Sequence, residues 1–359
     1  MQEKGVNILI INPFGIGDVL FTTPVVESLK KAVPESDISY WCNQRVADIL
    51  RDNPAVKRVF ALSRGDLKKV FQESKAEGMR RLFSLYSVIK KGKFAICLDF
   101  SLDHRYSLLA KLAGIKKRIG FNYKKRGRFL THKIAIGGYS GKHMIEHYLG
   151  LLAFLDIKPS VKQMALNVNA DSRIKVKQIF SRLGIRDDKN IIGIAPGAGA
   201  SWGKDAAFKH WPAAKYAQLA DRLIEELKAQ VVILGDATER AITDKLLDCM
   251  HNHPFDLCSR TSLSELTAAI DRLSLLITND GGPLHMAVAR GIKSVSIFGP
   301  VDESVYGPYP PSGKHLILKS DISCRPCYNN FRLNPCEAQR RCIEGLEVNT
   351  VFEAVRRLL

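Results

Sequence analysis

The segment Thr278–His285 holds the residues of this chain best suited to chemistry. It reads Thr-Asn-Asp-Gly-Gly-Pro-Leu-His and joins the apolar run Leu275–Ile277 to a helical pattern. The two glycines let backbone N–H groups approach a ligand, and the helix behind them presents its positive end to an anion. Asp280 and His285 add a hydroxyl-binding carboxylate and an imidazole. The pattern suits a nucleotide diphosphate carrying a sugar, whereas a tight turn with a helix N-cap and a core histidine would explain the same residues.

A second glycine turn, Asn12–Asp18, follows the apolar run Asn7–Ile11. Gly15 and Gly17 precede Asp18 in this turn. A carboxylate placed after a strand and a glycine turn can deprotonate an acceptor hydroxyl as a general base. Aspartate is also a good helix N-cap, and from the residues alone the two interpretations are equally well supported.

Apolar runs alternate with helical patterns throughout the 359 residues. A chain of this length favours two domains, and the alternation predicts α/β, doubly wound parallel sheets of Rossmann type. We expect domains at 1–165 and 166–359 that face each other across a cleft, with functional loops at the carboxyl ends of the strands. The predicted strands are Asn7–Ile11, Ile38–Cys42, Val56–Leu62, Phe94–Asp99, Arg118–Gly120, Ile191–Ala195, Val231–Leu234, Leu275–Thr278 and Ser294–Phe298.

Positive charge is concentrated in the first half of the chain. Residues 1–165 hold 29 Lys and Arg against 14 Asp and Glu, a net charge of +15 out of +18 for the whole chain. The densest runs are Arg64–Lys93 and Lys116–Lys133. A bias across a whole domain favours an anionic partner, which could be a nucleic acid, an anionic membrane surface or an acidic acceptor.

The C-terminal cysteines form the pattern C-x2-C-x8-C-x5-C. In a cytoplasmic protein this spacing favours a structural zinc site over a pair of disulfides, but it matches no standard zinc ribbon. Four reduced thiols in a loop are the alternative interpretation. The residues concerned are Cys324, Cys327, Cys336 and Cys342.

No run approaches the ~18 consecutive apolar residues that a membrane span needs. The first residues, Met1–Gly5, lead directly into a strand without a signal-peptide pattern. We therefore expect a cytoplasmic protein.

Several blocks, in this order along the chain, resemble the ADP-heptose:lipopolysaccharide heptosyltransferases, glycosyltransferase family 9, of GT-B fold. The resemblance runs from about residue 7 to the end of the chain, and one departure is Gly281, where the family often has threonine. The blocks are Gly15–Val19 with Thr22–Pro24, Ser201 through Lys209–Pro212, Leu234–Asp236 with Glu239, Asn279–His285, and Cys324–Cys327.

The resemblance implies an inverting transfer of heptose from ADP-heptose, with Asp18 as general base and Lys209 stabilising the departing diphosphate. It places the donor in the C-terminal domain, near Ser201, Glu239, Asp280, Gly281, Gly282 and His285. Glu239 would bind ribose and Asp280 the donor sugar. The basic N-terminal domain would receive the acceptor, lipid A bearing octulosonate, through Gly15, Gly17, Lys116, Lys117 and Arg118. The final helix is expected to pack back on that domain.

No D-x-D triplet, the usual carboxylate pair for a catalytic metal in sugar transferases, occurs in the chain. With Lys209 and a helix N-terminus at hand, this predicts metal-independent catalysis, so that zinc would serve only as a structural ion. The expected partners are the nucleotide sugar, an anionic lipid-linked acceptor and, at the periphery, the anionic inner leaflet.

Rival interpretations remain at this stage. A sugar-nucleotide transferase or epimerase of the same architecture could use another nucleotide or acceptor. A dehydrogenase fits less well, since Gly15-x-Gly17 lacks the third glycine of the dinucleotide fingerprint. A nucleic-acid-binding protein would use the positive charge, but few aromatic residues interleave the basic runs.

Overall fold

The computed structural model describes residues 5–62 and 64–359, with the side chains at 64, 200, 201 and 204 outside the description. The chain divides into two compact units, of which the first ends at Ala165 and the second runs from Leu166 to Leu359. No helix within the described ranges is both long enough and apolar enough to cross a membrane.

The N-terminal unit is built on one parallel six-stranded sheet. Its strand order is β3-β2-β1-β4-β5-β6, the doubly wound order in which the direction of winding reverses between β1 and β4. The central strands are buried along almost their whole length because helices cover both faces of the sheet. The strands are β1 (Asn7–Ile11), β2 (Asp37–Cys42), β3 (Arg58–Ala61), β4 (Ile96–Asp99), β5 (Lys117–Tyr123) and β6 (His132–Ile136).

The C-terminal unit repeats this topology. Its sheet has the order β12-β11-β10-β7-β8-β9, so the winding reverses between β7 and β10, and a two-stranded antiparallel hairpin follows the sheet. The sheet strands are β7 (Ile191–Ala195), β8 (Gln230–Ile233), β9 (Phe255–Asp256), β10 (Leu275–Asn279), β11 (Ser294–Phe298) and β12 (His315–Lys319), and the hairpin is β13 (Tyr328–Asn329) with β14 (Arg332–Leu333).

Helices connect the strands of both sheets. Those of the N-terminal unit are α1 (Ile16–Ala32), α2 (Ala47–Arg51), α3 (Arg64–Glu73), α4 (Lys75–Lys91), α5 (His104–Leu112) and α6 (Met144–Leu149). Those of the C-terminal unit are α7 (Ala170–Leu183), α8 (Ala213–Leu227), α9 (Arg240–Asp248), α10 (Leu263–Ile270), α11 (Gly282–Arg290), α12 (Glu303–Tyr306), α13 (Arg341–Glu344) and α14 (Val348–Leu358). The 3₁₀ helices of the described residues are Gln44–Val46, Gly150–Leu155, Ala200–Lys209 and Ala237–Glu239.

The nine predicted strands are all present, with ends displaced by a few residues. The sequence analysis did not predict the edge strands β6 and β12 or the two-residue strands β9, β13 and β14. In β6, half-buried residues alternate with exposed ones, so this strand lacks the continuous apolar run that marked the central strands.

The helix α14 belongs to the core of the C-terminal unit. Val351, Phe352 and Val355 are fully or almost fully buried there, together with residues of β7, β10 and α8. The guanidinium of Arg222 in α8 lies 3.9 Å from the centre of the Phe352 ring. The apolar stripe of this helix is covered by the sheet and α8 of its own unit, and the expectation that the helix also packs on the N-terminal domain stays a prediction.

We expect Phe352→Ala to lower the free energy of unfolding of the C-terminal unit by about 3–5 kcal/mol, since it opens a cavity in this core. Urea denaturation followed by circular dichroism measures the change. Ile174→Ala is the matched control, because Ile174 is 55% exposed and its truncation should cost less than about 0.5 kcal/mol. Equal behaviour of the two variants would mean that α14 contributes nothing to the core.

Candidate active site

The loops at the reversal point of the C-terminal sheet are tied together by the side chain of Asn279. This residue ends β10 and is fully buried. Its amide nitrogen donates to the carbonyls of Pro196 at 2.7 Å and Gly197 at 3.1 Å, just after β7. Its amide oxygen accepts the backbone N–H of Trp211 at 3.2 Å. One side chain therefore fixes the loop after β7 and the start of α8 relative to β10.

Glu239 binds two of these loops through its carboxylate. One oxygen accepts the N–H of Gly199 at 3.1 Å, and the other accepts the N–H of Asp236 at 3.1 Å. Burial raises the pKa of Glu239, while the two backbone donors lower it. Gly197 permits this arrangement, because a Cβ at that position would lie 1.7 Å from the Glu239 carboxylate.

Lys209 and Asp280 form a buried ion pair beside these loops. The Lys209 Nζ atom lies 2.6 Å from Asp280 Oδ2, and each side chain is 6% exposed. The same ammonium lies 4.5 Å from the centre of the Trp202 ring, whose face attracts the cation. An ammonium has three N–H donors, so contact with one carboxylate oxygen and one ring leaves it the capacity to bind a further anion.

The N-terminus of α11 follows Asp280 directly. Gly281 is the N-cap and Gly282 the first helical residue, so the suggestion that Asp280 caps the helix is wrong. A Cβ at Gly281 would lie 3.5 Å from the backbone of Ala198, in ordinary contact. His285 is buried within the helix. The two glycines therefore bring the positive end of the helix close to the Lys209–Asp280 pair.

A cavity of about 520 Å³ opens beside Glu239. Among the residues predicted to bind the donor, Glu239 is the one that lines it, so the Lys209–Asp280 pair lies outside the cavity wall. The side chain of Ser201, also assigned to the donor, lies outside the described residues. The other lining residues include Gly199, His210, Trp211, Ile242, Lys245 and Arg340.

His210 and Arg340 meet at the wall of this cavity. The Arg340 guanidinium donates to the His210 carbonyl at 2.7 Å. Burial, followed by the charges of Arg340 and Lys209, lowers the pKa of His210 to about 4. Its imidazole is therefore neutral at pH 7, so the positive charge of this wall comes from Arg340 and Lys245.

Trp211 fixes the start of α8 by packing on Tyr216, which lies one turn into the helix. The two ring centroids are 4.9 Å apart and the ring planes are nearly perpendicular. Because Pro212 is the N-cap of α8, this contact is a hydrophobic staple.

In the N-terminal unit, Asp18 lies in the first turn of α1, at the carboxyl end of β1. Gly15 is the N-cap, and its N–H donates to Asp18 Oδ2 at 3.3 Å. Asp18 is therefore the third residue of the helix and not the cap itself, and its carboxylate accepts the N–H of the N-cap residue. Its side chain is partly exposed.

The predicted acceptor residues Lys116, Lys117 and Arg118 lie at the amino ends of the strands, whereas Asp18 follows the carboxyl end of β1. Lys117 and Arg118 begin β5, where they pair with the first residues of β4, and Lys116 precedes them. Because the sheet is parallel, Asp18 lies at the carboxyl edge, while these residues lie at the amino edge. Arg118 moreover donates to backbone carbonyls, including that of Phe129 at 2.7 Å. Their assignment to the site around Asp18 is therefore corrected.

Other cations do lie at the carboxyl edge of this sheet. The residues that follow β5 are Lys124, Lys125 and Arg126, and all three are exposed. Lys124 and Arg126 flank the ring of Tyr123, at 5.1 Å and 5.8 Å from its centre. This basic cluster follows the carboxyl end of β5, whereas Lys116–Arg118 lie at its amino end. The run of basic residues in the sequence does not show this difference.

The four C-terminal cysteines are free thiols. Burial raises the pKa of Cys327 and of Cys342, and the other cysteines of the group raise it further. Across the described part of the chain, no group of three or more His, Cys, Asp or Glu side chains is arranged to hold a metal ion. The zinc site predicted at these four cysteines stays a prediction.

The cysteine segment nevertheless reaches the candidate site. The N–H groups of Cys327 and Tyr328 both donate to the carbonyl of Pro300 at 3.0 Å. Tyr328 packs against Trp202, with ring centroids 4.7 Å apart and ring planes tilted by 40°. Trp202, Tyr328 and Asn279 were given no role by the sequence analysis. The signal available for Trp202 was its position directly after Ser201, within the block that ends at Lys209.

The chain matches the family model "Glycosyltransferase family 9 (heptosyltransferase)" over residues 82–336. It is similar to lipopolysaccharide heptosyltransferase 3 of Escherichia coli, with 25% identity over 300 residues that cover 82% of this chain and 83% of the relative. Among solved structures, it is similar to a glycosyl transferase family 9 protein of Veillonella parvula (TM-score 0.78, 23% identity, 100% and 98% of the two chains). It is also similar to the ADP-heptose lps heptosyltransferase II of E. coli (TM-score 0.76, 20% identity, 98% of each chain).

The two repeated sheets and their switch-point loops define a two-domain, GT-B-like α/β fold. The chain belongs to glycosyltransferase family 9, the heptosyltransferase family. This confirms the family, the fold class and the enzyme class that the sequence motifs predicted.

We expect Gly197→Ala to lower the free energy of unfolding by about 1–3 kcal/mol, because the new methyl group displaces the Glu239 carboxylate and leaves the Gly199 and Asp236 N–H groups without it. Chemical denaturation measures the effect. In a Glu239→Ala background the same substitution should be nearly neutral, since the clashing group is gone. Gly313→Ala is a second control, because a Cβ there would meet no atom within 4 Å.

The buried pair allows a double-mutant cycle. We expect Lys209→Met to destabilise the C-terminal unit by about 3–5 kcal/mol, since it leaves the Asp280 carboxylate buried without its cation. The double variant Lys209→Met with Asp280→Leu should be more stable than the single one. If the two costs simply add, Lys209 and Asp280 are not coupled.

Proposed function

We propose that this chain transfers heptose from ADP-heptose to an anionic, lipid-linked acceptor of the lipopolysaccharide inner core. The names of the similar proteins, a lipopolysaccharide heptosyltransferase 3 and an ADP-heptose lps heptosyltransferase II, support this choice. The observation that carries it is the ammonium of Lys209, held by Asp280 and Trp202 next to the glycine N-terminus of α11. A diphosphate leaving group requires such a concentration of fixed donors.

In this proposal the C-terminal unit binds the donor. Lys209 and the N–H groups at the start of α11 stabilise the charge that develops on the diphosphate as the anomeric bond breaks. Asp280 keeps Lys209 in place and accepts hydrogen bonds from hydroxyls of the sugar. The carboxylate of Glu239 accepts those of the ribose, and the cavity beside it, at 520 Å³, has the size of a typical small-ligand pocket.

Asp18 serves as the general base. The acceptor hydroxyl gives its proton to the Asp18 carboxylate while its oxygen bonds to the anomeric carbon, and ADP leaves from the opposite face. This single displacement inverts the anomeric configuration. The turn at Gly15 and Gly17 sets Asp18 in place, and the hydrogen bond from the Gly15 N–H orients the carboxylate.

The acceptor's phosphates and carboxylates bind the basic edge that follows β5, in place of Lys116–Arg118. Lys124, Lys125 and Arg126 lie at the same sheet edge as Asp18, which makes them the cations of choice for that role. The lipid part of such an acceptor implies peripheral contact with an anionic membrane surface.

The absence of a D-x-D triplet and the presence of Lys209 support catalysis without a metal ion. The fixed cation and the helix N-terminus supply positive charge where other sugar transferases use a metal on the diphosphate. Thermal shifts measured with ADP, UDP, GDP and ADP-heptose, with and without EDTA, test which nucleotide the chain binds and whether binding requires a metal ion. A shift selective for ADP species and indifferent to EDTA supports the proposal, while a preference for UDP or GDP removes heptose from it.

We expect Asp18→Asn to reduce kcat by about 10²–10⁴-fold with little change in ADP affinity, because it removes the base and leaves the donor site intact. Lys209→Met should weaken ADP binding as well as kcat. Initial rates of heptose transfer and calorimetric titration with ADP give the two quantities. Unchanged turnover in Asp18→Asn would exclude Asp18 as the base.

A further inference from the structure

The helix α4 exposes large apolar side chains on one face. Met79 is 58% exposed, and Phe83, one turn further, is 70% exposed. Tyr86 follows on the same side, and its hydroxyl donates to the carbonyl of Leu112 at 3.3 Å. Leu112, at the end of α5, is itself 62% exposed. These four residues form a continuous strip, called here the α4 strip; such a patch indicates an interaction site, whereas single exposed apolar residues do not.

Exposed cations are numerous on the α3–α4 pair that carries this strip, and the Lys90 Nζ atom lies 5.8 Å from the centre of the Tyr86 ring. Arg80 and Arg81 share one carboxylate, that of Glu77, at 2.7 Å and 2.8 Å, so two guanidinium charges are balanced by one. Both remain mostly in solvent, with side chains 78% and 52% exposed. The other exposed cations of the two helices are Lys68, Lys69, Lys75, Lys90 and Lys91.

The two helices pack closely together. Phe71 of α3 packs over Gly78 of α4, where a Cβ would lie 2.5 Å from the ring. Another side of α4 faces the core of the N-terminal unit through Leu85 and Ile89. The helix therefore stays folded on its own unit while the α4 strip remains outside the core.

We propose that the α4 strip enters the interface of a bilayer that contains anionic lipids, with the surrounding lysines and arginines on the headgroups. Apolar and aromatic side chains flanked by Lys and Arg are the features with which interfacial helices bind such surfaces. The inference deepens the membrane contact in the proposed function by naming its residues, and it does not depend on the donor sugar.

The charge of this surface argues against a second copy of the chain as the occupant. A symmetric dimer through the strip would place each set of cations against its own counterpart. An anionic surface pairs with the same charges and also accepts the phenyl ring of Phe83.

Sedimentation with vesicles tests the proposal on the full chain. We expect binding to vesicles of phosphatidylcholine with phosphatidylglycerol, and much weaker binding to phosphatidylcholine alone. The double variant Met79→Ser, Phe83→Ser should bind about ten-fold more weakly, in high salt as well as low. Lys90→Gln with Lys91→Gln should weaken binding by roughly five-fold per charge, chiefly in low salt.

Ile174→Ser is the matched control, since Ile174 is an equally exposed apolar residue (55%) of the other unit and should leave binding unchanged. Thermal melts check that every variant is folded. Vesicle binding by the Met79, Phe83 variant equal to that of the parent chain would overturn the proposal. So would a parent chain that stays in the supernatant and instead forms a dimer that Phe83→Ser abolishes, which would assign the strip to a second copy.

A deacylated, water-soluble acceptor separates this inference from the proposed function. Transfer to it should be the same for the parent chain and the Met79, Phe83 variant, because the strip contains no residue assigned to the reaction. Vesicle binding without any heptose transfer would refute the proposed function and leave the membrane surface standing. Heptose transfer without vesicle binding would refute the membrane surface and leave the proposed function standing.

Discussion

The hydrogen bonds of one buried amide, that of Asn279, hold the C-terminal site together. They join the end of β10 to the loop after β7 and to the residue that precedes α8. All three partners are backbone groups in buried hydrogen bonds, so removing the amide would break three of these bonds at once. Asn279 thereby fixes the loops that carry Lys209 and Asp280 relative to each other, while the Glu239 carboxylate joins its own loop to the one after β7 through the Gly199 N–H.

The second constraint is electrostatic. The Lys209–Asp280 pair is almost completely removed from water, which costs free energy that the attraction between the charges only partly returns. Such pairs are therefore weak evidence for stability. In the proposed mechanism the pair retains the cation that stabilises the departing diphosphate, and the ring of Trp202 lies against one side of this cation. The contact between Trp202 and Tyr328 joins the segment that holds the C-terminal cysteines to the Lys209–Asp280 pair.

The basic character of the N-terminal half divides among different sites. Arg118 is used within the fold, where it binds carbonyls near the start of β5. The cations after β5 lie at the functional edge of the sheet, and those of α3 and α4 surround an exposed apolar strip. Net charge alone predicted an anionic partner, but one number cannot distinguish structural arginines from those that face a substrate or a membrane.

The sequence by itself determined the family, the fold class and the central strands, because buried parallel strands leave continuous apolar runs and glycine turns leave local signatures. It also placed Asp18, Lys209, Glu239 and Asp280 in loops that follow those strands. Only the tertiary structure decided that Asp280 pairs with Lys209 and that Glu239 fills the space left by Gly197. It alone also placed Lys116–Arg118 at the amino ends of the strands, away from Asp18. The sequence also did not predict the edge strands or the packing of α14 against the sheet and α8 of its own unit. These features depend on contacts between residues distant in sequence and on strand direction, and no local pattern of residue types records either.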